Sequence, residues 1–368
     1  MKLLRLCLDQ IGVGRPLPWN VYNDAGQLVL RQGHIVRDEA QREGLILRGA
    51  YIDHQVHGEA TDTQDFHAVR EHAATLWQDV RTRAETLLLE PGEAQPFRRG
   101  LKVIGGHIEF AVVHHLDESL FELLHREGRN TPAVSHVIQA AFLANMVAIR
   151  LGWPNAMVRS TVHAALTMNL ASLQRQNALH ERARPLDAAE RTDMAEHGAQ
   201  GRLLLEMLGV EDRDWLQAVA HHHPPEDGRS LAAWRHMAGD MACLLHHVDL
   251  YLAKVSSRAY RGALAPDVAA RQLFHRGGGA ANPFASALIK EVGLFPPGAS
   301  VRLANGELAV VLRRGELAHL PEVCAVQGAD GVALPQPVRR RTCEPAYKVV
   351  AAVPRGVITL PAEATALH

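Results

Sequence analysis

Helical periodicity over most of the chain is the feature that most constrains this fold. From about Phe66 to Lys290, apolar residues recur at spacings of three and four, as in "DFHAVREHAATLWQDVRTRAETLLL" and "VSHVIQAAFLANMVAIRLGW". That period puts apolar side chains on one face of a helix. Because 47% of the 368 residues are hydrophobic, such helices can bury a sizeable core. The pattern predicts a mainly α-helical domain.

β-type patterns flank the helical region at both ends. The N-terminal "NDAGQLVLRQG" combines turn residues with a short strand candidate, and "SVRLANGELAVVL" places two β-rich runs around Asn305 and Gly306. The second pattern predicts a hairpin with a type I′ turn. The polar segment "HGEATDTQD", between the N-terminal β-type region and the helical region, has the composition of a linker. The predicted organisation is a small β-containing module (1–58), a linker (59–65), a helical domain (66–296), a short β extension (297–355) and a tail (356–368).

Charge and cysteine content exclude several classes of protein. A formal net charge of -1 gives no long-range attraction to nucleic acid or to anionic lipid. The four cysteines lie far apart without a CxxC spacing, which argues against a disulfide framework and a thiolate zinc site. The N-terminus lacks a signal-peptide pattern, and no consecutive apolar run reaches about 18 residues. We therefore expect a cytoplasmic protein with no nucleic-acid or membrane partner.

Several of the 22 histidines lie at the ends of predicted helices or along them. His197 follows a capping box formed by Asp187 and Glu190, and the next long helix carries a carboxylate. The candidate metal ligands are His136, His197, His222, His223 and Asp249. Facing helices can converge such groups on one metal, and imidazole with carboxylate suits zinc, iron or manganese. Ordinary packing histidines remain an open alternative, because a histidine-rich chain offers many such sets.

The order and spacing of these segments resemble the HD-GYP family of cyclic-di-GMP phosphodiesterases. In that family a helix opening with His runs to Leu-Gly, as "HVIQAAFLANMVAIRLG" does here. Four more family segments have counterparts in the same order, and they are "AALTMNLAS", "PLDAAERTDMAEHGAQG", "HHPPEDGRSLA" and "HVDLYLAKVSSRAYRGAL". The resemblance covers most of the chain. It implies an HD-domain-like helical bundle with a small β-containing module before it and a short β extension after it.

Departures from the family pattern fall at the positions that carry its chemistry. The family's His-Asp pair corresponds to Met168 and Asn169, the lysine after it to Ser172, and the Gly-Tyr-Pro triplet to residues 230–232. In the family that Asp bridges two metal ions and that His ligates one of them. An amide is a neutral, poor bridge, and a soft thioether suits hard divalent ions badly. The resemblance therefore implies a degenerate centre, with no catalytic residue assigned at these two positions.

The retained residues imply one metal at most. Resemblance assigns His197, His222 and His223 to one metal position, which would hold a single divalent ion such as Fe, Mn or Zn. His136 and Asp249 belong to the second position, which we expect to be empty. The candidates for nucleotide binding are Arg258, Tyr260 and Arg261. The alternative is that the two arginines are exposed surface residues that bind no ligand. Three further histidines match no family ligand and are interpreted as structural or exposed, namely His221, His246 and His247.

Three functions follow from this resemblance. The first is a regulatory or binding protein of bacterial cyclic-di-GMP signalling with little or no phosphodiesterase activity. The second is an active, metal-dependent cyclic-di-GMP phosphodiesterase with a rearranged centre. The third is a protein-interaction scaffold without a nucleotide ligand. Turnover separates the second from the others, whereas nucleotide binding without turnover separates the first from the third. Cyclic-di-GMP and a signalling protein are the expected partners.

Overall fold

Two small antiparallel sheets flank a helical bundle in the computed structural model. The structure describes all residues except 1–2, 6–10, 12, 15, 18, 24, 48–50, 54–64, 126–129, 181–183, 185–186, 188–189, 192–193, 195, 225–230, 258–261, 277–281, 316, 318 and 354–368. The predicted mainly α fold with a β-containing module at one end and a β extension at the other is confirmed. Most of the predicted linker and the whole of the predicted tail lie outside the described residues, and the predicted domain limits remain predictions.

The N-terminal module forms a four-stranded antiparallel sheet in the order β1-β4-β2-β3. Its elements are β1 (Leu3–Arg5), β2 (Val21–Tyr22), β3 (Leu28–Leu30), α1 (Glu39–Leu47) and β4 (Tyr51–Asp53). Its small core includes Ile11, Leu17 and Val36, and Val103 of the helical domain completes that core. The Tyr51 hydroxyl also accepts a 2.9 Å hydrogen bond from Arg159. The module therefore packs against the helical domain.

The helical domain runs from residue 65 to residue 292. Its helices are α2 (Asp65–Leu89), α3 (Ala94–His114), α4 (Leu116–His125), α5 (Pro132–Arg150), α6 (Asn155–Thr167), α7 (Leu173–His180), α8 (His197–Met207), α9 (Arg213–His221), α10 (Leu231–Val255), α11 (Pro266–Arg276) and α12 (Pro283–Val292). A short 3₁₀ helix, Leu170–Ser172, joins α6 to α7. The predicted capping box is present, because Asp187 and Glu190 exchange hydrogen bonds of 2.9 and 3.0 Å between side chains and backbone N–H groups.

Helix α5 is the centre of the bundle. It contacts α2, α3, α6, α7, α10 and α12. By length and composition α5 is apolar enough to cross a membrane, but 72% of its apolar window is buried inside the protein. A helix that is apolar all round is expected in the core of a large domain. The packing against six neighbours accounts for the apolar composition of α5.

Helix α10 differs from the single long helix that the sequence pattern predicts. Gly239 interrupts it with φ +80° and ψ 169°, which lie outside the helical region. A glycine adopts positive φ without the steric cost that a side chain would bring. Helix α10 is therefore two helical segments that meet at a break, and this break matters for the site described below.

A five-stranded antiparallel sheet, in the order β8-β7-β6-β5-β9, ends the described chain. Its strands are β5 (Ser300–Leu303), β6 (Leu308–Arg313), β7 (Glu322–Gln327), β8 (Ala333–Arg341) and β9 (Val349–Val353). Phe121 of α4 is buried against Val310 and Leu312 on one face of this sheet. Arg313 also forms a 3.1 Å ion pair with Glu118 of α4. The C-terminal sheet is thus docked on the helical domain.

The hairpin predicted around Asn305 and Gly306 is present, but its turn is not type I′. Type I′ requires positive φ at both central residues, and Gly306 has φ +91° whereas no non-glycine among the described residues has positive φ. The N–H groups of Leu303 and Gly306 donate to the carbonyls of Glu307 and Leu303 respectively, both at 2.9 Å. The loop therefore holds three residues with glycine last, and the type I′ prediction is wrong because it assumed a two-residue loop.

Candidate metal centre

Three imidazoles converge where helices α8 and α9 meet. His197 is the first residue of α8, and His222 and His223 directly follow α9. One nitrogen of each ring lies within 4.8 Å of a nitrogen of the other two. His197 and His222 are buried, whereas the side chain of His223 is exposed. The three rings, called the histidine triad below, therefore form a site that opens to solvent beside His223.

A glycine allows the two helices to approach closely. A Cβ atom at Gly198 would lie only 2.9 Å from the carbonyl oxygens of both Val219 and Ala220 in α9. Real Cβ atoms essentially never approach other atoms so closely, so only glycine fits here without a shift of the backbone. Since His197 immediately precedes Gly198, this close contact sets the position of His197 relative to His222.

Backbone hydrogen bonds fix the tautomers of two triad histidines. Nδ1 of His197 donates to the carbonyl of Met194, and Nδ1 of His222 donates to the carbonyl of Val219 at 2.7 Å. The Nε2 atoms of His197 and His222 must then both carry lone pairs, and they face each other at 3.0 Å. Two lone pairs at this distance repel unless a cation lies between them, and a backbone-oriented imidazole is the usual form of a metal ligand. The residues present therefore fit a divalent metal.

Burial keeps both of these histidines neutral. Burial lowers the pKa of His197 below its usual value. Burial, together with the neighbouring His223 and His197, holds the pKa of His222 well below its usual value. A metal binds only the neutral imidazole, so His197 and His222 are in the ligand form at neutral pH.

His136 and Asp249 form a separate pair beside the triad. Nε2 of His136 lies 2.7 Å from Oδ1 of Asp249, and Oδ2 of Asp249 lies 4.0 Å from Nε2 of His223. Burial opposes ionisation of Asp249, but its hydrogen bond to His136 and its electrostatic interaction with the surrounding histidines outweigh burial, so the pKa of Asp249 lies below its usual range. The sequence-predicted set is thus divided into a triad and an adjacent His-Asp pair.

Met168 and Asn169 lie at the junction of α6 and the following 3₁₀ helix. The side chain of Met168 is fully buried in the main hydrophobic core, and Asn169 is buried as well. The Asn169 carbonyl accepts hydrogen bonds from the N–H and hydroxyl of Ser172, at 2.8 and 3.2 Å. Met168 therefore serves as a packing residue, and Asn169 and Ser172 stabilise the turn between the helices.

Two histidines outside the predicted ligand set lie on α10 shortly before Asp249. His247 bridges elements, because its Nδ1 donates to the Cys243 carbonyl at 2.6 Å and its Nε2 accepts from the Asn282 amide at 2.7 Å. The ring of His246 lies 6.1 Å from that of His223. His246 stands three residues before Asp249 in the sequence, and residues three apart share a helix face. This spacing is the signal by which the sequence could have identified His246. The predicted nucleotide-binding residues Arg258, Tyr260 and Arg261 lie outside the described residues.

Comparison with known proteins adds a fold relationship. No protein-family model matches the chain, and no curated protein matches its sequence. One solved structure that is similar is that of Bd1817, described as a HDG"Y"P protein from Bdellovibrio bacteriovorus. The match has a TM-score of 0.51 and 14% sequence identity, and it covers 78% of this chain and 99% of that chain. At this identity the likeness shows the fold, and this chain has an HD-GYP-like fold.

Proposed function

We propose that this chain is a degenerate HD-GYP-type protein of bacterial cyclic-di-GMP signalling, which regulates or binds and has little or no phosphodiesterase activity. The observation that carries this proposal is the contrast between an intact histidine triad and the pair Met168-Asn169 where the family has His-Asp. The Met168 side chain is committed to the hydrophobic core. A buried thioether and a neutral amide cannot bridge two divalent ions as an aspartate does.

One metal position remains in this proposal. His197, His222 and His223 would hold a divalent ion, and neutral imidazole suits Fe, Mn or Zn. When bound, such an ion would supply positive charge for a phosphate group of the nucleotide. The exposed edge at His223 is the side from which a nucleotide could approach. His136 and Asp249 satisfy each other, which supports a second metal position that is empty.

Loss of the metal pair would remove most of the catalytic advantage. A two-metal site stabilises both the attacking and the leaving oxygen of a phosphodiester, and each role contributes several kcal/mol. Because about 1.4 kcal/mol changes a rate tenfold, the loss of one such role slows hydrolysis by orders of magnitude. We therefore expect the chain to bind cyclic-di-GMP but to hydrolyse it hardly at all.

The alternative of an active phosphodiesterase has one observation in its favour. The ionised carboxylate of Asp249 lies 4.0 Å from Nε2 of His223. A modest movement would bring a carboxylate next to the triad and would partly replace the missing bridge. The degenerate interpretation is preferred because the family's adjacent ligand pair is missing as a whole.

The test is a titration of the purified full chain with cyclic-di-GMP, in the presence of manganese, iron or zinc and after chelation. Calorimetry measures binding, and chromatography of the nucleotides measures turnover. We expect binding with hydrolysis near background. Turnover of about one per second or faster would overturn the proposal in favour of an active enzyme. Absence of both binding and turnover would favour a protein-interaction scaffold instead.

The variant Met168→His/Asn169→Asp extends this test. It restores the family's ligand pair, but Ser172 and Leu231 also depart from the family pattern. We expect metal content to rise in this variant more than activity does. Full activity from these two substitutions alone would show that the other departures are unimportant.

A further inference from the structure

The C-terminal end of α9 carries two of the proposed metal ligands, and its carbonyls need partners from elsewhere. The last four carbonyl groups of a helix receive no hydrogen bond from an N–H group of the same helix. Here two side chains of α10 supply the donors. Nε1 of Trp234 donates to the His221 carbonyl at 3.1 Å, and the imidazole of His246 interacts with the His222 carbonyl.

These two donors meet only because α10 is broken. Trp234 and His246 are twelve positions apart, which corresponds to about 18 Å along a straight helix. Their ring centroids lie 5.1 Å apart in an edge-to-face arrangement. The break at Gly239, which has φ +80°, changes the direction of the first segment of α10, so that Trp234 reaches His246. Among the described residues, no atom outside the backbone of the same helix lies within 4 Å of a Cβ built at Gly239, so the glycine is required by its backbone conformation and not by crowding.

The tautomer of His246 follows from its surroundings. Its Nδ1 is buried and has no hydrogen-bond partner within the described part of the chain. Nε2 is therefore the nitrogen that carries hydrogen and donates to the His222 carbonyl. The same ring contacts His223 edge-to-face, with 6.1 Å between centroids. His246 thus contacts the backbone of one triad histidine and the side chain of the next.

We propose that Trp234 and His246 form a carbonyl clamp on the His221-His222 backbone that positions His222 and His223 for a metal ion. The clamp rests on the proposed metal site, and its members are positioning residues that do not themselves bind the metal. Residues that orient metal ligands in this way typically change metal affinity 10- to 100-fold when they are replaced.

Paired substitutions at His246 separate the hydrogen bond from mere packing. In His246→Gln the side-chain NH₂ occupies nearly the place of Nε2, so the donor is kept. In His246→Asn the amide is one carbon shorter and corresponds to Nδ1, so the donor is lost. We expect the Asn variant to bind Co²⁺ about 10- to 100-fold more weakly than wild type and to change the visible absorption of the cobalt-loaded full chain. We expect the Gln variant to keep both properties, and Trp234→Phe to weaken binding less than the Asn variant does.

Equal cobalt affinity in wild type and His246→Asn, or equal impairment in the Gln and Asn variants, would overturn the clamp. A second measurement does not depend on metal. Nitrogen NMR of the histidine side chains in metal-free protein reports the tautomer of each ring. We expect His246 to carry its hydrogen on Nε2, and the Nδ1–H tautomer would overturn the inference. If wild type binds no cobalt, the proposed metal site fails, whereas the tautomer still decides whether the clamp exists.

Discussion

Replacement of Gly198 by alanine should separate the two helices that bring the histidine triad together. The added Cβ would lie 2.9 Å from two backbone oxygens, those of Val219 and Ala220. A carbon and a carbonyl oxygen normally remain about 3.3–3.6 Å apart, so α8 must move away from α9 by about 0.5 Å. Neither oxygen can turn aside, because both belong to the α9 backbone.

This shift should lower both the stability of the protein and its affinity for a metal ion. Overpacking of this kind destabilises a protein by about 1–3 kcal/mol. His197 would move with its neighbour, and its Nε2 faces that of His222 at only 3.0 Å. Because metal ligands must be held within about 0.5 Å of their working positions, we expect Gly198→Ala to weaken metal binding about tenfold or more.

Gly201→Ala is the matched control on the same helix. Its Cβ would lie 3.3 Å from Cγ1 of Val219, a side-chain atom that can give way, and 3.9 Å from the Met168 carbonyl. Both substitutions replace glycine by alanine near the start of the same helix, so the gain in helix propensity, at most about 1 kcal/mol for each, largely cancels between them. Thermal unfolding and titration of the metal-free chain with Co²⁺ measure the two effects. Equal unfolding temperatures and equal metal affinities for the two variants would refute the close-packing argument.

Three further predictions concern acid stability, helix capping and domain organisation. Burial lowers the pKa of His246 from 6.5 to about 4, so the unfolded chain takes up a proton at higher pH than the folded chain does. The metal-free protein should therefore lose stability as the pH falls from about 6.5 to about 4, by up to about 3 kcal/mol. Denaturant titrations across this pH range should show a smaller loss for His246→Gln. Asn282 caps α12 by accepting from N–H groups of the first turn, and its amide also donates to His247. Asn282→Ala should therefore lower the free energy of unfolding by about 1–3 kcal/mol. As a control, Asn155→Ala at an exposed position should leave the unfolding temperature nearly unchanged. Limited proteolysis should cut first within 59–66, and the two pieces should still elute together from a sizing column because the N-terminal module packs on the helical domain; a first cut within 136–260 would argue against this boundary.

Residue periodicity was sufficient to predict the architecture. Apolar spacing located α2 and α5, because a helix that buries one face repeats its apolar residues every three or four positions. The type of turn at Asn305 and Gly306 was not predictable in the same way, since it depends on which residues pair across the loop. The break at Gly239 was also missed, because an isolated glycine in a helical pattern is compatible with a continuous helix.

Part of the site was also beyond reach of the sequence. The order of segments grouped the candidate ligands, but the tautomers of His197 and His222 depend on which backbone carbonyls their Nδ1 atoms meet. The contact of His246 with the His222 carbonyl depends on the break in α10, so no local pattern reveals it. Sequence spacing names chemical groups, whereas tertiary packing decides which nitrogen of each ring is presented.

The most direct test of this account is the number of metal ions bound per chain. Protein purified without chelator should be analysed by elemental mass spectrometry, beside His222→Ala and, as a control on the exposed face of α11, His275→Ala. We predict at most one metal per chain, lost in His222→Ala and kept in His275→Ala. Two metals per chain, or one metal undiminished in His222→Ala, would contradict a single site held by the histidine triad.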